Sequence, residues 1–227
     1  MEDQIAKLQE LVDRIVMNHP GNIKVLEAGC GSMMHIHFGK EAQITGIDIS
    51  EKQLLRNQAI DERIIGDIQV YDFQPASFDI IICWNVLEHV QNPTAALSRF
   101  EKALKQDGII ILGLPNGMSI KGLVTKYTPH VFHVWAYKHV FGIVDAGIDD
   151  NAPFKAVLSF TILPAAIRKF AFEHGLRIVY FASYDSKFYI QKLSAFFRYI
   201  KQPIKFLSLN RLGDTDFVIA LQKAQGS

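Results

Sequence analysis

The sequence predicts one α/β domain, a doubly wound and mainly parallel sheet with helices on both faces, and three observations predict it. Short apolar runs alternate with segments of helical periodicity from residue 23 to residue 114. The first run breaks into a glycine-bent loop, Val25-Leu26-Glu27-Ala28-Gly29-Cys30-Gly31-Ser32. The second, Gln43-Ile44-Thr45-Gly46-Ile47-Asp48-Ile49-Ser50, ends on a carboxylate about twenty residues further on. Strand–helix alternation requires crossovers, hence parallel pairing, and a glycine loop at a strand end is where such sheets receive nucleotide-like ligands.

The elements follow in order. Residues 2–18 place Ile5, Leu8, Leu11, Val12, Ile15 and Val16 at helical spacing, so an amphipathic helix ends before Pro20-Gly21, either covering the sheet or roofing the ligand. Strands are expected at 23–28, 43–49, 63–65, 78–84 and 108–114, with helices at about 33–39, 51–59 and 93–105. After Pro115-Asn116-Gly117 the pattern breaks for some forty-five residues, and a helix (161–174), a strand (176–182) and a final strand (215–222) follow. Long excursions in compact domains are usually functional, so residues 117–160 are read as a substrate-side insertion.

At 227 residues the chain needs no second domain. Twenty-four Lys+Arg against 23 Asp+Glu give no global field, so nucleic acid is not an expected partner. Residues 186–212 are the local exception, with Lys187, Lys192, Arg198, Lys201, Lys205 and Arg211, no acidic residue, and interleaved Phe and Tyr. That basic aromatic insertion is a candidate lid, dimer contact or peripheral membrane contact. Two cysteines, Cys30 and Cys83, in apolar strand contexts argue for a reducing compartment. A charged N-terminus and no long apolar run give a cytoplasmic expectation.

Two further stretches carry chemistry: Gly66-Asp67-Ile68, and Ser77-Phe78-Asp79-Ile80-Ile81-Ile82-Cys83-Trp84-Asn85-Val86-Leu87-Glu88-His89-Val90 with its partner Gly108-Ile109-Ile110-Ile111-Leu112-Gly113-Leu114-Pro115-Asn116. Together with the glycine loop they make the chain resemble the class I S-adenosylmethionine-dependent methyltransferases, the broad group of small-molecule and ubiquinone-type O-methyltransferases. The resemblance is close over residues 20–115 and loose in the last two strands. It implies a Rossmann-like, seven-stranded mixed sheet with an antiparallel last strand and helical insertions.

The same resemblance implies the site. Glu27, Ala28, Gly29, Cys30 and Gly31 would wrap the amino-acid end of S-adenosylmethionine, Glu27 acting on its ammonium. Asp48, with Ile49 beside it, would bond the ribose hydroxyls; Asp67 would accept from the adenine amine and Ile68 lie against the ring. Asn85, Val86 and Leu87 would border the cofactor, with Glu88 and His89 on the methyl side. Met33 stands where the family often has a third glycine, a departure that leaves room for weakened binding.

A hydroxyl acceptor must lose a proton, and a neutral histidine suits that task. The candidates are His133 and His130 in the excursion, preferred for substrate contact, and His89. Two histidines at i, i+3 can ligate an ion, but nothing else in the spacing supports a metal and none is expected. Phe132, Trp135, Tyr137, Phe141 and Phe154 suit an apolar or ring-bearing small molecule. The rival readings are a cofactor-holding scaffold subunit and a nicotinamide dehydrogenase. The second is disfavoured because Glu27 would repel a pyrophosphate.

Overall fold

The computed structural model describes residues 2–39, 42–157, 159–185 and 214–224. The basic aromatic stretch 186–212 therefore lies outside the described residues. Seven strands run β1 (Ile23–Ala28), β2 (Ala42–Asp48), β3 (Glu62–Ile65), β4 (Phe78–Trp84), β5 (Leu104–Pro115), β6 (Leu176–Tyr184) and β7 (Asp216–Lys223). Their order across one sheet is β3-β2-β1-β4-β5-β7-β6. All neighbours pair parallel except β7, which runs antiparallel to both β5 and β6. The mixed seven-stranded sheet expected from the sequence is the one observed.

This topology positions the site. Strand order reverses at β1, with β2 on one side and β4 on the other, and ligands bind in the crevice beyond the carboxyl ends of strands at such a switch point. Both faces are covered, which is why β4 and β7 read as unbroken apolar runs rather than alternating ones. Helix α1 (Glu2–Asn18) lies on one face, burying Leu8 and Val12 against Val25, Ile80, Ile82 and Ala220. It covers the sheet rather than roofing the ligand. Helices α3 (Pro93–Ala103) and α6 (Pro164–Glu173) cover the other face, where Leu97, Phe100, Ile167 and Phe170 join Ile81, Ile110 and Ile219.

Helix α2 (Glu51–Arg56) opens on Ser50, whose hydroxyl accepts from the Gln53 N–H. It stops at Asn57, whose side chain turns inward and donates to the Cys30 carbonyl, so the expected run to residue 59 is not made. The excursion contains two helices, α4 (Ile120–Tyr127) and α5 (His130–His139).

One expected element is absent. Residues 33–39 form an irregular connection instead of a helix. Seven residues make fewer than two turns and hold a helix only with outside support. Here the support goes elsewhere: the Gln9 amide on α1 accepts from the His37 N–H (2.9 Å) and donates to the His37 carbonyl (2.7 Å). His35 stacks on Trp84 at 4.9 Å between centroids, and Ile36 is fully buried. The glycine loop is therefore not followed by a helix N-terminus, and no helix dipole reinforces it.

At the opposite ends of the central strands Asp79 ties together the starts of β1, β4 and β5. Its carboxylate accepts from Lys105 Nζ (2.7 Å) and the Lys24 N–H (2.9 Å), and His19 Nε2 lies 3.2 Å away. Burial pushes this carboxyl up, but the Lys105 and Lys24 hydrogen bonds and the Lys105 and His19 charges outweigh it and hold it below its ordinary 3.8. A depressed carboxyl stabilises the fold above its ordinary value, and that stabilisation is lost as pH falls through the folded value. Asp79→Asn should lower stability at pH 7 by about 1–3 kcal/mol in urea unfolding, and the difference from wild type should narrow below pH 3. An equal difference at both pH values would remove Asp79 as the source.

Candidate active site

The strand ends at the switch point gather four groups of residues. Strand β1 supplies Glu27 and Ala28, the second paired between Ile47 and the sheet interior, the first between Gly46 and Ile82. Glu27 is 2% exposed and its Oε2 has no hydrogen-bond partner among the described residues. Burial pushes its carboxyl well above the ordinary value. A buried carboxylate left like this is unfavourable unless a cation or donor meets it.

The loop that follows turns through two left-handed glycines, Gly29 (φ +69°) and Gly31 (φ +49°). A Cβ on Gly29 would sit 2.4 Å from Val86 Cγ2, so this position excludes any larger residue on two counts. A Cβ on Gly31 would meet nothing within 4 Å, which leaves the backbone there open to a ligand. The N–H groups of Gly29 and Cys30 both donate to the Ile47 carbonyl (2.7 and 3.2 Å), and that of Gly31 to Asp48 Oδ2 (3.0 Å). These three donors hold the loop over the end of β2. Burial, with the Asp48 and Glu27 charges, pushes the Cys30 thiol up to about 12, so it stays a neutral thiol.

Asp48 ends β2, and its Oδ1 accepts the Ser50 N–H at 2.8 Å. With one backbone donor on each oxygen the carboxylate is fixed in orientation yet keeps lone pairs free, since a carboxylate offers about four acceptor directions. Ile49 beside it is 77% exposed. Asp67 lies in the turn after β3, with Ile68 buried behind it.

After β4, Asn85 adopts a left-handed backbone (φ +54°) while its N–H donates to the Gly113 carbonyl at 2.9 Å. Such conformations in a non-glycine residue mark functional turns. Asn85 is exposed, and the half-buried Val86 packs its side chain against Gly29. Leu87 is fully buried in the core with Ala28 and Ile68, and only its backbone can face a ligand.

The excursion 117–160 folds back on this loop. His89 Nδ1 lies 3.0 Å from the Lys155 carbonyl, the Val157 N–H donates to the Glu88 carbonyl at 2.7 Å, and the Phe154 ring meets His89 edge-on at 5.8 Å. A carbonyl only accepts, so Nδ1 carries the proton, and Nε2 of neutral His89, 3.8 Å from Oε1 of the buried Glu88, carries the lone pair. Burial lowers the His89 pKa; the Lys155 carbonyl opposes this, and the charge of His130 adds to it. Residues 130 and 133 share a face of α5, as expected, with rings 6.3 Å apart. His133 Nε2 is engaged by the Thr128 hydroxyl, and His130 Nδ1 is buried without a hydrogen-bond partner among the described residues. Phe132 and Trp135 stack on each other at the half-exposed surface of α5.

Sequence reasoning missed how the insertion closes the crevice. Its 149–151 turn reaches α2: Lys52 Nζ pairs with Asp149 (2.8 Å), the Ser50 hydroxyl donates to Asp150 (2.8 Å), Gln53 donates to the Asp150 carbonyl, and Arg56 to Asn151 (3.2 Å). Residues 149–157 therefore strap the end of β2 to the end of β4, across β1 between them. The only signal in the sequence was the run Gly147-Ile148-Asp149-Asp150-Asn151, turn-forming but silent about its target.

Residues 1–145, more than half of the chain, match a family model described as a methyltransferase domain. A curated relative, the ubiquinone biosynthesis O-methyltransferase of Idiomarina loihiensis, is 31% identical over 152 residues, covering 61% of this chain and 59% of its own length. The chain thus spans about three fifths of that relative. Among solved structures, a SAM-dependent methyltransferase from Archaeoglobus fulgidus aligns with TM-score 0.58 at 17% identity, covering 96% of this chain and 94% of its own. A [4+2]-cyclase aligns with TM-score 0.56 at 16% identity, covering 97% and 81%. At these identities the likeness is of fold alone, and the cyclase shows that this fold carries more than one reaction.

Because Glu27 titrates above its ordinary 4.5 in the fold, its ionised form opposes folding at neutral pH and the opposition vanishes in acid. Glu27→Gln should raise the stability of the ligand-free protein at pH 7 by about 1–2 kcal/mol in urea unfolding, with the gain shrinking toward pH 4. A destabilised variant at pH 7 would show that Glu27 is satisfied within the fold.

Proposed function

Because this chain belongs to the methyltransferase-domain family, we propose that it is an S-adenosylmethionine-dependent O-methyltransferase acting on a hydroxyl of an apolar or ring-bearing small molecule. The observation that carries this reading is Glu27, a buried carboxylate with an oxygen lacking a partner, beside open backbone at Gly31. An ammonium satisfies that oxygen and a pyrophosphate does not, which separates this reading from a dinucleotide enzyme. A scaffold that never held a ligand would gain stability by replacing Glu27, so its presence also favours a bound cation over an empty fold.

When bound, S-adenosylmethionine would supply an electrophilic methyl on a sulfonium sulfur. Glu27 would hold its ammonium end, and Asp48, pre-oriented by the Gly31 and Ser50 N–H groups, would accept from the ribose diol. Ala28, Cys30 and Leu87 contribute backbone, and Ile49 and Val86 apolar surface. His89 Nε2 would take the proton of the acceptor hydroxyl. His89 is favoured over His130 and His133 because the Lys155 carbonyl fixes its tautomer with Nε2 unprotonated. His130 and His133 line the acceptor side. The strap at 149–157 keeps water from the crevice and aligns acceptor with donor, from which much of the acceleration of a displacement derives. The name of the Idiomarina relative makes a phenolic or catecholic ring the first acceptor to try. No helix among the described residues is long and apolar enough to cross a membrane.

Calorimetry with S-adenosylhomocysteine should give saturable heat, and transfer to a phenol or catechol panel should then be measured in His89→Ala, His130→Ala and His133→Ala. His89→Ala should lose about 10²–10⁴-fold in turnover with S-adenosylhomocysteine affinity retained. The wild-type rate should fall in acid with a midpoint below the ordinary histidine value of 6.5, because burial favours the neutral ring, and that limb should vanish in His89→Ala. Full turnover in His89→Ala would remove it as the base.

A further inference from the structure

The Asp67 carboxylate is held by a chain of donors that begins on another element. The Gln69 N–H donates to Asp67 Oδ1 (2.9 Å), and Gln69 Nε2 lies 3.0 Å from both Oδ1 and Oδ2. The amide can be oriented in only one way, because Gln69 Oε1 accepts the Asn92 N–H at 2.7 Å, which turns the NH₂ group toward Asp67. Asn92 is the N-cap of α3, its own side chain accepting from the Ala95 N–H. Two turns further along the same helix, Arg99 donates from Nε to the Gln69 carbonyl (2.7 Å) and from Nη1 to the Tyr71 carbonyl (3.0 Å). Helix α3 thus grips the turn after β3 at both its side chain and its backbone.

Gln69 meets this carboxylate with two N–H groups, its backbone N–H on Oδ1 and one side-chain N–H shared between Oδ1 and Oδ2. Because the shared N–H spans both oxygens, the plane of the carboxylate is fixed while acceptor directions remain for a ligand. We propose that Gln69 is a positioning residue for base recognition: it holds Asp67 so that the carboxylate accepts from an amino group on the edge of a purine and rejects a carbonyl at the same place. This rests on the cofactor reading above. A freely rotating Asp67 would turn away from a base carbonyl or admit water between them, and would discriminate poorly. A carboxylate clamped by Gln69 cannot turn, so a carbonyl presented to it meets negative charge without a donor.

The test uses the full chain and two probes, S-adenosylhomocysteine and its deaminated analogue S-inosylhomocysteine, with affinities from calorimetry on wild type and Gln69→Met. Methionine keeps the length and removes the donors and acceptor. Wild type should prefer the adenosyl compound by at least about tenfold, and Gln69→Met should bring the two affinities within about threefold. The ratio is taken within one variant, so partial unfolding cancels from it. Undiminished preference in Gln69→Met, with wild type binding S-adenosylhomocysteine, would overturn the positioning role and leave the cofactor reading intact. Absence of S-adenosylhomocysteine binding to wild type would overturn both.

Discussion

No side chain fits between Gly29 and Val86, and the candidate site is built around that close approach. A Cβ at Gly29 would penetrate Val86, and the left-handed backbone there is one that other residues rarely adopt. The contact brings the loop after β1 against the loop after β4, while the Gly29 and Cys30 N–H groups bind the same loop to the last carbonyl but one of β2. Three strand ends are thereby locked within one crevice. The left-handed turn at Asn85 lies on the far side of the same contact, so both loops carry their strain where they meet.

Around that lock two carboxylates are treated oppositely. Asp48 receives a backbone donor on each oxygen and is oriented but satisfied. Glu27 sits deeper, with an oxygen left unmet. The difference follows from position: Asp48 ends its strand where loop N–H groups are available, whereas the N–H groups around Glu27 are committed to parallel pairing with β2 and β4. A site of this kind stores unfavourable energy in the free protein and recovers it on binding a cation. The strap at 149–157 then lies across the opening, held to α2 by exposed groups such as Lys52 and Asp149, whose pairing is weak and screened by salt.

Most of the fold was legible because parallel strands buried on both faces announce themselves as apolar runs, and those at β1, β4, β5 and β7 fall within a few residues of their expected places. The helix at 33–39 failed because periodicity cannot register a competing partner, here the Gln9 amide on α1. The glycine loop and the carboxylate ending β2 could be placed at strand ends from their spacing, and Asn85 from the family resemblance. A motif gives sequence position without side-chain direction, and the Leu87 side chain points into the core, leaving its backbone for a ligand. The choice among the histidines needed tertiary structure: His89 stands out through a hydrogen bond to Lys155, sixty-six residues away. The strap and the Gln69 clamp are likewise contacts between distant segments of ordinary polar residues.

The most direct measurement is a crystal structure with S-adenosylhomocysteine bound. The expected result places its ammonium against Glu27, its backbone approach at Gly31 and its ribose hydroxyls on Asp48, with His89 Nε2 facing the sulfur across the acceptor space. An adenosyl group bound away from the ends of β1 and β2, or an ordered anion in contact with Glu27, would contradict the assignment of this crevice to a sulfonium cofactor.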